Sequence, residues 1–299
     1  MPSTVLALLS AVVMTLALAG CGGGEGVAAA PEPQQSAARG APQAATIEIT
    51  AREYGFGVSP TLSGGLVDMA LDNDGSELHY AAFARPVEGK TLADVRAALT
   101  TPPGSGSPGP LPMVEYAALG TVAPGRTSRM TVNLPAGPYV LFCAFPAPDG
   151  TPHNVLGMMV DVDVTGGTAG SLPDTLAAVL AFDFAYGILP NPNPKLKAGT
   201  NRIKLDNRGR QAHEIDLVEV ADGKTIDDAI AWAATLLGPP PINFLGGAAV
   251  GAGLSAVGTF ELKPGVRYAF VCVVPDTLGD FAPHLTKGMY SAIFEVSSA

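Results

Sequence analysis

The segments LPAGPYVLFC at 134–143 and LKPGVRYAFVC at 262–272 decide the fold class of this chain. In each segment a turn that contains Gly and Pro leads into a nearly continuous apolar run, which is typical of a central strand of a β-sandwich. A Tyr precedes the closing Cys by four positions in both segments. The likeness of the two segments indicates an internal repeat.

Further motifs recur in the same order in both halves of the chain. Upstream of each segment, the pattern Leu-Asp-Asn-x-Gly is followed by a His four positions after the Gly. Downstream of each Cys comes the pattern His-x-x-x-Gly-Met. The first pattern occurs at 71–75 and 205–209, and the second at 153–158 and 284–289. The repeat therefore covers most of the chain.

The repeat also predicts the domain organisation. We predict a first domain at 45–164 and a second domain at 174–299. Between them, the sequence TGGTAGSLP at 165–173 is rich in Gly and is interpreted as a linker.

Both domains are predicted to be mainly β. Residues 46–51, 129–134 and 259–262 show the alternation of half-buried strands. The chain also has 36 Gly and 27 Pro among its 299 residues, which favours many turns. A short helical pattern follows Gly-Lys-Thr in each half, at 91–99 and 225–237. The predicted class is two tandem Greek-key β-sandwich domains, each with a short helical insertion.

An uncharged stretch in the second half needs its own interpretation, because no charged residue lies between Asp228 and Glu261. Pro239, Pro240 and Pro241 interrupt it, and its many Gly and Ala residues contribute little to membrane insertion. We interpret it as a helix end followed by a Gly-rich loop rather than a membrane span.

The first 44 residues predict export. Residues 5–19 form an uncharged apolar run of the length found in signal peptides, and this run ends in Leu18-Ala-Gly-Cys21. The ending resembles the bacterial lipobox, whose Cys is lipidated and becomes the mature N-terminus. We predict a signal peptide at 1–20, lipidation of Cys21 and a disordered tether at 21–44. Cleavage as an ordinary secretory signal is the alternative. The protein is expected on the extracytoplasmic side of the cell membrane, held by its lipid anchor.

The charge of the chain excludes one class of partner. It has 17 Lys and Arg against 27 Asp and Glu, for a formal net charge of −10. Binding of phosphates requires a basic face, so a nucleic-acid partner is not expected.

Four residue types that bind soft metal ions occur in the same order in each domain. Every His and every Cys of the chain except Cys21 belongs to one of the two sets. The sets are His79, Cys143, His153 and Met158 in the first domain, and His213, Cys272, His284 and Met289 in the second. Two imidazoles, one thiolate and a weak axial thioether suit a blue copper site, which transfers electrons.

These motifs resemble those of the cupredoxin family, over about 240 of the 299 residues. The resemblance rests on the Asn-x-Gly turn before the first His, the Pro/Gly-rich approach to the Cys, and the closing His-x-x-x-Gly-Met. It implies a Greek-key β-sandwich that binds copper, with the first His after the turn and with Cys, the second His and Met on one loop. It assigns the two sets above as copper ligands.

The sequence departs from that family in the spacing of two ligands. Nine residues lie between Cys143 and His153, and eleven between Cys272 and His284, where the family usually has a few. Such an insertion either bulges outward and leaves the ligands in place, or separates Cys from His and abolishes the site. A buried Cys can also be a small apolar residue, and a lone His a structural one. A disulfide between Cys143 and Cys272 is a further alternative in an oxidising compartment.

The function expected from these observations is electron transfer by a lipid-anchored protein with up to two type 1 copper sites and a redox partner protein. A copper-delivery lipoprotein without redox cycling and a metal-free binding module are the alternatives. An enzyme is not expected, because the chain has no His-x-His pair and no histidine outside the two sets.

Overall fold

The computed structural model describes residues 44–101, 111–190 and 196–297. The predicted signal peptide, Cys21 and almost all of the tether lie outside these residues. The described part has sixteen strands, two α-helices and one 3₁₀ helix. The strands are β1 Ala45–Arg52, β2 Gly55–Gly57, β3 Thr61–Ser63, β4 Gly65–Asn73, β5 His79–Pro86, β6 Met113–Val122, β7 Thr127–Leu134, β8 Gly137–Phe142, β9 Met159–Thr165, β10 Ala177–Phe182, β11 Ala185–Leu189, β12 Gly199–Asn207, β13 His213–Val220, β14 Ile242–Val250, β15 Ser255–Leu262 and β16 Tyr268–Val271. The helices are α1 Leu92–Thr100, α2 Ile226–Ala233 and the 3₁₀ helix His284–Lys287.

The strands form two sheets that face each other across the apolar core. One sheet has the order β11-β10-β12-β15-β7-β4-β1-β2, and the other has the order β16-β13-β14-β6-β5-β8-β9-β3. One continuous cluster of buried apolar side chains contains residues from both sheets and both repeats. The predicted class, mainly β with a cupredoxin-like sandwich in each repeat, is confirmed.

The two repeats are joined through both sheets. Strand β15 of the second repeat pairs antiparallel with β7 of the first, and β14 pairs antiparallel with β6. The strand orders on the two sides of these pairs mirror each other, so an approximate two-fold axis relates the repeats. The whole sheet region belongs to one compact unit. The division into domains at 45–164 and 174–299 therefore stays a prediction. It marks the extent of each repeat in the sequence, and both sheets continue from one repeat into the other.

The predicted helical insertions are present as α1 and α2. Each begins with a capping box, in which a Thr side chain accepts a hydrogen bond from the backbone N–H of an Asp three residues later and the Asp side chain accepts one in return. The pairs are Thr91 with Asp94 and Thr225 with Asp228. No helix of the described residues is both long and apolar enough to span a membrane.

The interpretation of the uncharged stretch as a Gly-rich loop is wrong. Residues 242–250 form β14, which pairs with β13 and β6 in the middle of a sheet. The small residues serve two close approaches, that of Gly246 to Ser128 in the first repeat and that of Gly247 to β13 in its own repeat. The Ser128 hydroxyl donates to the carbonyl of Gly247 and accepts from its N–H, both at 3.0 Å. A Cβ at Gly247 would lie 2.3 Å from the carbonyl oxygen of Ile215 and from Asp216 Oδ1.

This crowding predicts a stability change. Gly247→Ala should lower the free energy of unfolding by about 1–3 kcal/mol, the usual cost of overpacking, because backbone lies against the new methyl group. Denaturation in urea followed by circular dichroism measures it. Gly166→Ala is the matched control, since a Cβ there meets nothing within 4 Å. An equal effect of the two substitutions would contradict the proposed packing of β14.

Candidate metal centre

The structure brings three predicted ligands of the first repeat together. The donor atoms of His79, Cys143 and His153 lie within 4.8 Å of one another, and all three side chains are fully buried. Cys143 Sγ is 3.6 Å from His153 Nδ1. The centroids of the two imidazole rings are 4.8 Å apart. The Nδ1 atom of His79 is buried without a hydrogen-bond partner in the described part of the chain.

The second repeat has a matching cluster of His213, Cys272 and His284, also fully buried and within 4.8 Å. The two Nδ1 atoms are 3.2 Å apart. Cys272 Sγ is 3.3 Å from His284 Nδ1. In both clusters the Nδ1 atom of the second histidine lies beside the thiol.

An Asn side chain places the first His of each site at the start of its strand. The side-chain amide of Asn73 donates to the carbonyls of Glu77 and Val122, and its oxygen accepts from the N–H of Gly75. These bonds tie the turn to β6, and the chain enters β5 at His79. The matching bonds of Asn207 to Gln211, Val250 and Gly209 lead into β13 at His213.

The long insertions between Cys and His bulge outward and leave the ligands together. In the first repeat, the His153 N–H donates to the Phe145 carbonyl at 2.9 Å, and this bond closes the neck of the insertion. In the second, His284 donates to Val274 at 2.9 Å. Bridges between Pro146 and Pro152 and between Pro275 and Pro283 flank the necks. The extra residues therefore do not separate Cys from His.

Backbone hydrogen bonds also place both Met residues beside the clusters. The Cys143 N–H donates to the carbonyl of Met158, whose own N–H donates to the carbonyl of His153. Met289 makes the same two bonds with Cys272 and His284. Both Met side chains are fully buried.

The structure excludes the disulfide alternative. Cys143 and Cys272 are both free and buried, and each belongs to a different cluster. The antiparallel pairing of the two repeats places the clusters at opposite ends of the shared sheet. His79 is level with Val122 of β6, and His213 with Val250 of β14. From strand spacing and rise, the two histidines are roughly 20 Å apart.

The spacing of the donor atoms fits a metal ion. Three ligands in a plane, each about 2.0–2.3 Å from one ion, lie about 3.5–3.9 Å from one another. The separations of Cys143 from His153, and of His284 from His213 and Cys272, are 3.2–3.6 Å, and all the donor atoms of each cluster lie within 4.8 Å of one another. A buried Nδ1 without a partner, as in His79, costs free energy unless something binds it. The clusters therefore have the ligands and the dimensions of metal sites.

Burial keeps the ligands uncharged when no metal is bound. It raises the pKa of the Cys143 thiol to about 12 and that of Cys272 well above its usual value. Burial, with the neighbouring His213, lowers the pKa of His284 to about 4. The pKa values of the other three histidines are also lowered, first of all by burial.

Three carboxylates that the sequence analysis missed contact the outer nitrogens of the histidines. His79 Nε2 is 3.3 Å from Glu53, His153 Nε2 is 2.9 Å from Glu77, and His213 Nε2 is 3.1 Å from Asp183. Glu53 and Asp183 occupy equivalent positions in the repeated segments ITAREYGFGVSP and VLAFDFAYGILP. An acid at the same place in both copies was the signal available in the sequence.

The glycine of each Asn-x-Gly turn makes room for these contacts. A Cβ at Gly75 would lie 2.4 Å from Glu53 Oε1 and 2.8 Å from His79 Nε2. A Cβ at Gly209 would be equally close to Asp183 and His213. The motif is therefore needed by the carboxylate–histidine pair as well as by the turn.

No protein-family model matches the chain, and no curated protein matches it. Solved structures that are similar include Auracyanin A from Chloroflexus aurantiacus, described as a "blue" copper protein. It is 21% identical, with 41% of this chain and all of that chain covered and a TM-score of 0.29. The Blue Copper Oxidase from Nitrosomonas europaea is 14% identical over 86% of each chain, with a TM-score of 0.24. The copper-containing nitrite reductase from Thermus scotoductus is 12% identical over 85% of this chain and 61% of that chain, with a TM-score of 0.22.

The comparison corrects the prediction that this chain is not an enzyme. Two of the similar structures are enzymes. The number of histidines in a single chain is an unsound basis for excluding an enzyme, because in a symmetric assembly every chain contributes its own histidines.

At these identities the likeness concerns the fold alone. The sheets and the buried clusters of the chain itself agree with it. The chain thus has the cupredoxin-like fold that its sequence predicted, with one His/Cys/His cluster in each repeat.

Proposed function

We propose that this protein is a membrane-anchored copper protein that transfers electrons through two type 1-like copper sites. The observation that carries the proposal is the pair of buried clusters, in each of which donor atoms of two imidazoles and one thiol lie within 4.8 Å of one another. His79, Cys143, His153 and Met158 are the ligands of site 1. His213, Cys272, His284 and Met289 are the ligands of site 2.

The donor set selects copper. The thiolate and the thioether favour Cu(I), and the imidazoles suit Cu(II), so one fixed set of ligands accepts both oxidation states. Copper would supply the one-electron couple. The protein holds the ligands through backbone hydrogen bonds and excludes water from them, which limits the rearrangement that accompanies a change of charge.

The burial of the ligands favours electron transfer over delivery of copper to another protein. All eight predicted ligand side chains are fully buried. A delivery protein must expose a ligand so that the acceptor can take over the ion. An electron, in contrast, can leave a buried site without any ligand moving. The unpartnered Nδ1 of His79 argues against the metal-free alternative.

We further propose that Cys21 is lipidated and that residues 21–44 tether the copper domains to the membrane. The support is the Leu-Ala-Gly-Cys sequence after the apolar run, and the Gly-, Pro- and Ala-rich composition of the tether. The anchor keeps the protein close to a redox partner protein at the same membrane.

The copper proposal predicts a visible spectrum. Addition of Cu(II) to the soluble part of the protein should give an intense thiolate-to-copper band and two bound copper ions per chain. Cys143→Ser and Cys272→Ser should each remove one site's share of the band and one copper ion. Each remaining site should take up and release one electron reversibly in voltammetry. A colourless protein without copper would contradict the proposal, and tight Cu(I) binding without reversible oxidation would favour delivery.

The raised thiol pKa predicts how copper affinity depends on pH. The free thiol of Cys143 is protonated far below its pKa of about 12, whereas the bound sulfur is a thiolate. Binding therefore releases one proton, and affinity should rise about tenfold per pH unit between pH 7 and 9. The histidines are already neutral there and add nothing. Competition with a chelator of known proton stoichiometry, in the Cys272→Ser variant, measures the slope. A flat profile would mean that the free sulfur is already ionised.

The lipobox predicts a processing defect. Cys21→Ala should abolish lipidation, so that the protein leaves the membrane fraction or keeps its signal peptide. Fractionation and mass measurement of the mature protein detect either outcome. Ala19→Gly is a control that keeps a small residue before the Cys. Unchanged membrane retention and mature mass in Cys21→Ala would refute lipidation at this position.

A further inference from the structure

The two sites differ in what holds the outer nitrogen of the second histidine. In site 1, His153 Nε2 lies 2.9 Å from Glu77 Oε2. In site 2, the corresponding nitrogen, His284 Nε2, is buried and has no hydrogen-bond partner among the described residues. The first histidine of each site, in contrast, contacts a carboxylate in both repeats.

The repeat explains this difference. Glu77 stands two positions before His79, and Gln211 stands two positions before His213. The Gln211 side chain binds the opposite loop instead of the histidine. Its amide donates to Asp276 Oδ1 at 3.0 Å, and its oxygen accepts from the N–H of Thr277 at 2.9 Å. The exchange of one residue thus removes a carboxylate from site 2.

We propose that Glu77 is a positioning residue that holds His153 for Cu(II), so that site 1 has the lower reduction potential and a single electron is held mainly by site 2. This inference rests on the proposed function. Its own evidence is the contact between Glu77 and His153 and the missing counterpart in site 2.

The physical effect of Glu77 is on the ligand nitrogen. When a carboxylate accepts the Nε2–H of an imidazole, the proton stays on Nε2 and the Nδ1 lone pair faces the metal. The carboxylate also makes that lone pair more basic. Both effects favour the more highly charged Cu(II) over Cu(I), and the negative charge of Glu77 acts in the same direction. A ligand held in this way lowers the reduction potential of its site.

Charges around the two sites reinforce the difference. In the described part of the chain, no Lys or Arg lies within 4.0 Å of Glu53 or Glu77. In site 2, Arg210 is 2.8 Å from Asp183. Lys287 is 2.6 Å from Asp276 and 2.7 Å from Asp280. Cations therefore offset the carboxylates of site 2, whereas in the described part of the chain no Lys or Arg pairs with those of site 1.

One acid of site 2 needs separate treatment. Glu214 is buried and accepts hydrogen bonds from the N–H groups of Val273 and Val274, next to Cys272. Glu214 thus contacts main-chain N–H groups rather than a histidine nitrogen, so the second histidine of site 2 still has no carboxylate on its Nε2.

The experiment measures each site by itself. The variant Cys272→Ser leaves site 1, and Cys143→Ser leaves site 2. Site 1 should have the lower midpoint potential. In the Cys272→Ser background, Glu77→Gln should weaken Cu(II) binding about tenfold with little change for Cu(I). That change corresponds to a rise of about 59 mV in the potential of a one-electron couple. Glu48→Gln on the exposed face of β1 is the matched control and should shift neither quantity.

A second measurement needs no copper. Nitrogen chemical shifts of the histidines in the copper-free protein report which ring nitrogen carries the proton. His153 should carry it on Nε2, and Glu77→Ala should give a mixture of both forms, while circular dichroism shows that the fold is kept.

The outcomes separate this inference from the proposed function. Blue copper in both sites with equal potentials, or an unchanged site 1 potential in Glu77→Gln, would overturn the inference and leave the copper function standing. A proton on Nδ1 of His153 would also overturn it. Absence of bound copper would overturn the proposed function and the potential order together, while the nitrogen shifts would still decide whether Glu77 holds the His153 ring.

Discussion

The site depends above all on the backbone hydrogen bonds that return the chain from the second His to the Cys. His153 is held by the Phe145 carbonyl, and Met158 is held between Cys143 and His153, in the way that His284 and Met289 are held in the other repeat. These bonds use main-chain groups alone, so the residues inserted between Cys and His do not disturb them. The insertions lie outside the neck, which is why a loop of unusual length still delivers its ligands.

Close packing between the repeats is the second constraint. Gly246 allows β14 to approach Ser128, whose hydroxyl binds Gly247, and this contact lies where both sheets cross from one repeat to the other. Because the repeats pair antiparallel, their ligand clusters lie at opposite ends of the shared sheet. Helix α2 bridges part of that distance. It contacts the 3₁₀ helix of site 2, and its Trp232 stacks on Phe145 of the first loop with centroids 6.3 Å apart.

The layer outside the ligands is where the repeats have diverged. The carboxylates of Glu53 and Asp183 play the same part in both copies, and each has its own glycine to make room. Glu77 and Gln211 do not play the same part. If both clusters hold copper as proposed, two identical sites would hold an electron equally, whereas two unequal sites would give it a direction. A duplicated copper protein can thus differ in its redox properties without changing any ligand.

The sequence by itself determined the fold class, the repeat and the candidate ligands. The apolar run before Cys143 predicts a central strand and forms β8 inside its sheet, but the same prediction for the run before Cys272 is wrong, because β16 lies at the end of the strand order. The short distance from each His to its turn or Gly-Met pattern is visible in the chain. Such features are local in the sequence or recur in a fixed order, so residue patterns alone reveal them.

The spacing between Cys and His did not decide whether the site survives, because that depends on hydrogen bonds that close the insertion at its neck. The uncharged stretch between Asp228 and Glu261 was interpreted as a helix end followed by a Gly-rich loop, because the Gly residues of β14 matter only for neighbours distant in the sequence. Glu53 and Glu77 meet His79 and His153 across 26 and 76 positions. Only the tertiary structure decided these contacts, because residues far apart in sequence come together only when the two sheets pack.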